Sequence, residues 1–131
     1  MKLSLIALCL AVAPTLASAD ESWNSSQYGT IVYEADIGNY AVFSMGGGDV
    51  RLYLEGLAGR YENAGTYNGY WVSNLAGACD YSITGADGRS SNNWGNLQLT
   101  FDSNAPARSY TVSLSICNNA FTEQFYATPQ Y

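Results

Sequence analysis

The chain has no histidine, and its single lysine, Lys2, lies at the very start. If the N-terminus is removed, neither a Ser–His nor a Ser–Lys pair can form, which excludes the commonest activated nucleophiles. Histidine is also a principal zinc ligand, so a zinc site is disfavoured. We therefore predict a protein that is not an enzyme, with no catalytic residues, no metal site and no cofactor.

Two weaker possibilities remain in the carboxylates and the side-chain oxygens. A pair of carboxylates can hydrolyse glycosides, and four acids are candidates for one: Glu34, Asp36, Glu55 and Glu62. Oxygen ligands for calcium are crowded into one stretch, although their spacing fits no EF-hand and a solvated turn explains them equally well. These are Asp87, Ser90, Ser91, Asn92 and Asn93.

Positive charge is scarce, and the whole chain has a formal charge of −6. An acidic surface repels phosphate backbones and anionic lipids, so nucleic acid and membrane are not expected partners. A basic protein partner would be attracted, although acidity also serves solubility alone. Tyrosine is abundant beside serine, asparagine and glycine, a composition typical of adaptable recognition surfaces and equally of small exported β domains.

The N-terminus has the features of a signal peptide. Lys2 precedes an apolar run over residues 3–13, and the small residues at 17–19 form a cleavage site. The run is too short to span a membrane as a helix, which needs roughly 20 residues. Residues 1–19 are therefore predicted to be removed, leaving an exported protein, periplasmic or secreted, whose oligomeric state stays open.

Removal of the signal peptide leaves two cysteines, Cys79 and Cys117. In an oxidising compartment, two cysteines most simply form one disulfide. A closed loop of about forty residues would contribute about 4 kcal/mol in the chain-entropy model.

The fold is predicted to be all-β. Short β-type runs are separated by turn signals every eight to fifteen residues, and no stretch shows a sustained helical period. We expect residues 28–131 to form one antiparallel sandwich or barrel of seven to eight strands, preceded by a flexible N-terminal arm over 20–27. The clearest hairpin joins NYAVFSM to VRLYLE through GGGD at 46–49.

Alternation within the strands predicts which side chains face inward. The inward set is Leu97, Leu99, Phe101, Tyr110, Val112, Leu114 and Ile116, while Val50, Leu52 and Leu54 share one face of their strand. A strand over CDYSIT would direct Cys79, Tyr81 and Ile83 inward. Cys117 falls on the outward phase, so either its strand ends earlier or a bulge resets the alternation.

Residues 66–73 allow two interpretations. As one strand, they place Tyr67 and Trp71 on a single face, with Gly69 leaving room between the rings. Alternatively, Asn68-Gly69 forms a type I′ hairpin turn. We favour the single strand, with Trp71 in the core.

Trp94 is the strongest candidate for a functional side chain. It is in phase with Asn96 and Gln98 on the polar face of its strand. An exposed indole beside amides suits sugar recognition, and it also suits a protein-interface anchor. The alternative is that Trp94 folds over the edge and caps the core. Tyr53 and Tyr70, also on outward phases, complete the predicted ligand or partner surface.

These features together predict non-catalytic binding of an exported protein partner, with enzyme inhibition as one form of it. The alternative is binding of a carbohydrate or cell-wall polymer through an exposed Trp/Tyr platform. The stretch GRYENAGTYNGYW resembles, over about a dozen residues, the bacterial periplasmic lysozyme-inhibitor family of small disulfide-bearing β-barrels. That family's inhibitory serine would fall near Leu57 or Ala58 and its lysine has no counterpart, so no residues are carried over. GYWVSNLAG similarly resembles an avidin-type hairpin, although the rest of the chain does not follow that order.

Overall fold

A computed structural model describes residues 21–60, 63–102 and 108–130. These ranges contain ten β-strands and one turn of 3-10 helix at Gly46–Gly48. The strands are β1 Ser22–Ser25, β2 Gly29–Ile37, β3 Tyr40–Met45, β4 Val50–Glu55, β5 Thr66–Ser73, β6 Ile83–Thr84, β7 Ser90–Ser91, β8 Trp94–Phe101, β9 Tyr110–Leu114 and β10 Glu123–Pro129. No helix in these ranges is long and apolar enough to cross a membrane.

Eight of the strands close into an antiparallel barrel, which confirms the all-β prediction and decides for a barrel. Each barrel strand pairs with the next along the chain, and β1 pairs with β10 to close the cylinder. The short strands β6 and β7 pair with each other between β5 and β8 and stand outside the barrel. Among the described residues, closure leaves the barrel sheet itself without a free edge strand.

The flexible arm predicted for residues 20–27 is wrong where the structure describes it. Residues 22–25 form β1, which pairs with β2 on one side and β10 on the other. Trp23 directs its ring into the barrel, where its centroid lies 5.3 Å from that of Tyr110. The other side chains of this stretch are polar and mostly face water. The buried indole of Trp23 attaches the stretch to the barrel core. The predicted signal peptide, residues 1–19, lies outside the described residues.

The barrel interior is filled by the alternate side chains of the strands, as predicted for the inward residues of β8 and β9, and the face that Leu52 and Leu54 share also lies there. The exception is Ile116, which was expected inside and is 56% exposed. β9 ends at Leu114, so the alternation stops before Ile116. Of the two alternatives for Cys117, the strand therefore ends before it. Cys117 lies beyond β9, and its φ of 55° is not that of an extended residue.

A second apolar cluster lies on the outer surface of the barrel. Outward side chains such as Val42, Val72 and Trp94 are covered by the segment 74–93, which contributes Ile83 and Ala86. The strand predicted over CDYSIT is therefore mostly wrong. Only Ile83 and Thr84 are extended and paired, and Tyr81 is exposed. The predicted disulfide joins Cys79 to Cys117, with 5.5 Å between their Cα atoms.

Strand β5 runs unbroken over Thr66–Ser73, so the single-strand interpretation is confirmed, and Trp71 is in the core as predicted. The reason for Gly69 differs from the predicted one. A Cβ atom at Gly69 would lie 1.7 Å from the carbonyl oxygen of Tyr53 on β4. Gly69 is therefore required by the close approach of a neighbouring backbone, not by the two rings beside it.

Candidate functional site

The exposed aromatic platform predicted around Trp94 does not form. Trp94 is 4% exposed, and its Nε1 donates a hydrogen bond to the Tyr81 carbonyl at 2.8 Å. Tyr53 is fully buried. Both rings do lie on the outer face of the barrel, as their phase predicted, but the 74–93 segment covers them. The alternative, in which Trp94 folds over the edge and caps the core, does not describe its position either, because the buried ring belongs to the outer cluster and not to the barrel interior.

Tyr70, Asn96 and Gln98 remain partly exposed on the barrel wall. The Tyr70 ring stacks on Tyr53, with 4.9 Å between centroids. Gln98 Nε2 donates to Asn68 Oδ1 at 2.9 Å, and Asn96 Nδ2 donates to Asn118 Oδ1 at 3.2 Å. These residues therefore form a polar wall without the tryptophan expected at its centre.

A network around Asp87 fastens the 74–93 segment to the barrel. Tyr53 Oη donates to Asp87 Oδ1 at 2.6 Å, and Arg51 Nη1 lies 3.7 Å from Asp87 Oδ2. Arg89 Nη1 donates to the carbonyls of Gly48 and Asp49. Burial, and then the hydrogen bond to Asp87, raise the pKa of Tyr53 well above its usual value.

Burial acts to raise the pKa of Asp87, but other interactions outweigh it and leave that pKa below its usual value. They are the hydrogen bonds from Tyr53 and the Arg89 backbone, together with the charges of Arg51 and Arg89. The carboxylate is therefore held ionised by its neighbours.

The candidate calcium residues lie in β7, at Ser90 and Ser91, and in the turns on either side of it. Asn92 Oδ1 accepts from Gly77 N at 3.0 Å, and Ser91 Oγ accepts from Asn93 N at 3.0 Å. Among the described residues, no group of three or more histidine, cysteine, aspartate or glutamate side chains is placed to hold a metal. Of the candidate carboxylates, Glu34 accepts from Ser44 Oγ and Asp36 from Gly59 N, while Glu62 lies outside the described residues.

The feature best suited to binding is a cavity at one end of the barrel, which we call the mouth. Its volume is about 300 Å³. It opens where β3 and β5 end and β4 and β10 begin. The lining residues are Tyr28, Met45, Val50, Trp71, Ser73, Leu75, Asn93, Leu114, Ser115, Ile116, Thr122 and Glu123. A mostly apolar lining with a few polar groups is typical of ligand pockets.

Trp71 is held firmly in the lining of the mouth. Its Nε1 donates to the Ser115 carbonyl at 2.8 Å, a buried hydrogen bond between β5 and the residue that follows β9. Gly95 makes this approach possible, since a Cβ there would lie 1.8 Å from the Ser115 oxygen and 2.4 Å from Trp71 Nε1. The indole is therefore positioned before any ligand arrives.

Exposed apolar side chains surround this opening. Leu75 and Ile116 line the cavity and are 60% and 56% exposed, and we call these two residues the mouth rim; Phe121, 48% exposed, lies in the same connection as Ile116. They lie in the connections that follow β5 and β9, which the Cys79–Cys117 disulfide joins covalently. Single exposed apolar residues are ordinary, but several gathered beside an apolar cavity mark an interaction site.

The described part of the opposite end of the barrel is filled more tightly. A cavity of about 40 Å³ remains there, lined by residues that include Trp23, Leu57 and Phe101. Arg108 forms an ion pair with Glu21 beside Trp23. Among the described residues, the cavity of the mouth is the larger of these two.

One carboxylate reaches the mouth. Glu123 begins β10, pairs in register with Leu114 and lines the cavity. The Tyr28 hydroxyl donates a hydrogen bond to its carboxylate. Burial, and then this bond and the charge of Glu123, raise the pKa of Tyr28 to about 12. The Tyr28 hydroxyl is therefore a donor throughout the physiological range.

The fold and site define an up-and-down β-barrel with an apolar opening at one end. Comparison with protein-family models, with curated proteins and with solved structures finds no match to this chain. Sequence reasoning missed the mouth, because its residues come from connections and strand ends. The available signal was three large apolar residues in turn-rich segments near the two cysteines.

Proposed function

We propose that this chain is an exported, non-catalytic binding protein whose mouth receives an apolar side chain of a protein partner. The observation that carries the proposal is that the exposed side chains of Leu75 and Ile116 both line an apolar cavity of about 300 Å³. A disulfide suits an oxidising compartment and supports export. The lack of histidine supports binding rather than catalysis.

A protein partner fits these features better than a small molecule confined to the cavity. A ligand inside the cavity would leave the outer parts of the mouth rim in water. Burying a large apolar side chain completely is worth about 1.5–3 kcal/mol. Association itself costs at least ~4 kcal/mol, so high affinity requires the rim to be covered as well, and an alkyl chain in the cavity alone is expected to bind weakly.

The test is a matched capture experiment with the oxidised protein, residues 20–131, immobilised. Wild type, the double variant Leu75→Asp/Ile116→Asp and the control Ile37→Asp are exposed to the exported fraction of the producing cells. Ile37 is 37% exposed at the opposite end of the barrel, so its substitution controls for added charge. We expect one protein to be retained by wild type and control at a fixed ratio and lost from the double variant.

Equal retention by all three proteins would overturn the mouth as the binding site. Circular dichroism and the denaturation midpoint of each variant confirm that the fold is intact. These substitutions are at exposed positions, where changes in stability are usually within about 0.5 kcal/mol.

A second candidate function is binding of a neutral polysaccharide along the barrel wall. The outward positions of β5, β8, β9 and β10 that the 74–93 segment leaves accessible carry hydroxyls and amides and no charge. They are Thr66, Asn68, Tyr70, Asn96, Gln98, Thr100, Thr111, Ser113, Gln124, Tyr126 and Thr128. Such groups supply the directional hydrogen bonds that sugars need.

Affinity electrophoresis in gels containing neutral polysaccharides tests this second function. Retardation of wild type that is lost in Gln98→Ala/Tyr126→Ala, and kept in Leu75→Asp/Ile116→Asp, would support wall binding. Unretarded migration of wild type across the glycan panel would overturn it.

A further inference from the structure

We propose that the partner segment entering the mouth carries a positive charge beside its apolar group, and that Glu123 receives this charge. The inference rests on the proposed function, because it concerns the chemistry of the occupant of the same mouth. It identifies the partner segment as an apolar side chain accompanied by a lysine, an arginine or a free amino terminus.

Glu123 lies at the border of the mouth, where β10 begins. Its register opposite Leu114 places it on the inward phase of β10, two residues before the buried Phe125. At the end of the strand this phase directs the carboxylate over the opening rather than into the core. The hydroxyl of Tyr28 donates to the carboxylate, and the Tyr28 ring packs edge-on against Phe125 with 5.1 Å between centroids. Glu123 is therefore oriented by a side chain that is itself packed.

The described lining of the mouth is negatively charged. Glu123 is the one charged residue among the described lining residues, and none of them is basic. Three of the arginines are engaged elsewhere: Arg51 with Asp87, Arg89 with the carbonyls of the β3–β4 turn, and Arg108 with Glu21. Among the described residues, the lining of the mouth therefore combines apolar side chains with one carboxylate and no basic group, and Arg51 lines the neighbouring cavity that shares Tyr28 and Met45 with it.

A cationic occupant suits this arrangement for a physical reason. Long basic side chains place their methylene groups on apolar surfaces while their charged ends stay at the edge, in contact with water or a carboxylate. An anionic occupant would place like charges together as water is displaced. The chain's net charge of −6 also attracts a basic partner at long range.

The experiment compares three probes that share an eight-carbon chain: n-octylammonium, n-octanol and octanoate. Their affinities are measured at pH 7 and low salt by calorimetry, with tryptophan fluorescence as a second readout. The proteins are wild type, Glu123→Gln and the matched control Glu55→Gln. Glu55 is an exposed glutamate at the far end of β4, away from the mouth.

For wild type we expect n-octylammonium to bind about fivefold more tightly than n-octanol, and octanoate to bind about fivefold more weakly, the range of a partly exposed ion pair. Glu123→Gln should reduce both differences to less than twofold, while Glu55→Gln should keep them. Salt at 0.5 M should narrow the differences in wild type, because it screens charges at this distance.

The outcomes separate this inference from the proposed function. If n-octanol binds and the charged probes bind with the same affinity as n-octanol, the charge preference is overturned and the apolar mouth stands. The preference is also overturned if it survives unchanged in Glu123→Gln. If no probe binds wild type, the apolar mouth itself is overturned.

Discussion

Trp71 Nε1 and the carbonyl oxygen of Ser115 are joined by a buried hydrogen bond of 2.8 Å that links β5 to the residue following β9. The bond passes close to β8, whose Gly95 has no side chain to obstruct it. It fixes both the indole in the mouth and the start of the connection that carries Ile116. The geometry of the mouth therefore depends on a glycine that touches no ligand.

Gly95→Ala is expected to lower the free energy of unfolding by about 2 kcal/mol or more, because its Cβ would collide with backbone. The control is Gly38→Ala, whose Cβ meets nothing within 4 Å but whose φ of +61° is strained, at a cost of about 1 kcal/mol. Urea denaturation measures both values. A cost for Gly95→Ala no larger than that of the control would contradict this account.

Loss of the disulfide is expected to weaken both stability and binding. The disulfide closes a loop between residues that are 38 positions apart in sequence. Cys79→Ser/Cys117→Ser should therefore lower the free energy of unfolding by about 4 kcal/mol. It should also weaken n-octanol binding several-fold, because the connections that carry Leu75 and Ile116 are no longer tied. Denaturation and calorimetry measure the two effects. Adding reductant should change wild type and leave the double variant unaffected.

Trp94→Ala is expected to be strongly destabilising, by about 3–5 kcal/mol, because the indole is buried beneath the 74–93 segment. Tyr81→Ala is the matched control, since its ring contacts Trp94 but is mostly in water. That control should cost about 1 kcal/mol or less. A Trp94→Ala protein as stable as wild type that had lost only sugar binding would instead restore the exposed-platform interpretation.

Acid should weaken the attachment of the 74–93 segment. The folded-state pKa of Asp87 is below the unfolded value of 3.8, so its contribution is complete above that value and is lost as the pH falls through the folded-state pKa. Over this acid range, Asp87→Asn should show a shallower fall in stability than wild type. Denaturant titrations from pH 5 to pH 2 measure the slopes. Identical slopes for Asp87→Asn and wild type would contradict the assignment.

Much of the fold could be predicted because the responsible signals are local. Alternation with a period of two placed Leu97, Leu99 and Val112 in the interior, and the two cysteines of the barrel domain had one another as the simplest partner. Alternation failed at Ile116 and Tyr81, where the strands predicted from it do not extend. A strand's end is set by hydrogen bonds to its neighbours, which a local pattern does not record.

The sequence by itself determined the β class, the disulfide and which side chains share a strand face. Only the tertiary structure decided what covers each face. Barrel closure depends on β1 meeting β10, about a hundred residues later, and burial of Trp94 depends on 74–93 folding back over the wall. The mouth likewise assembles from connections that are distant in sequence. An alternation with a period of two distinguishes the two faces of a strand. It does not say which face another segment will cover, because that depends on packing between residues distant in sequence.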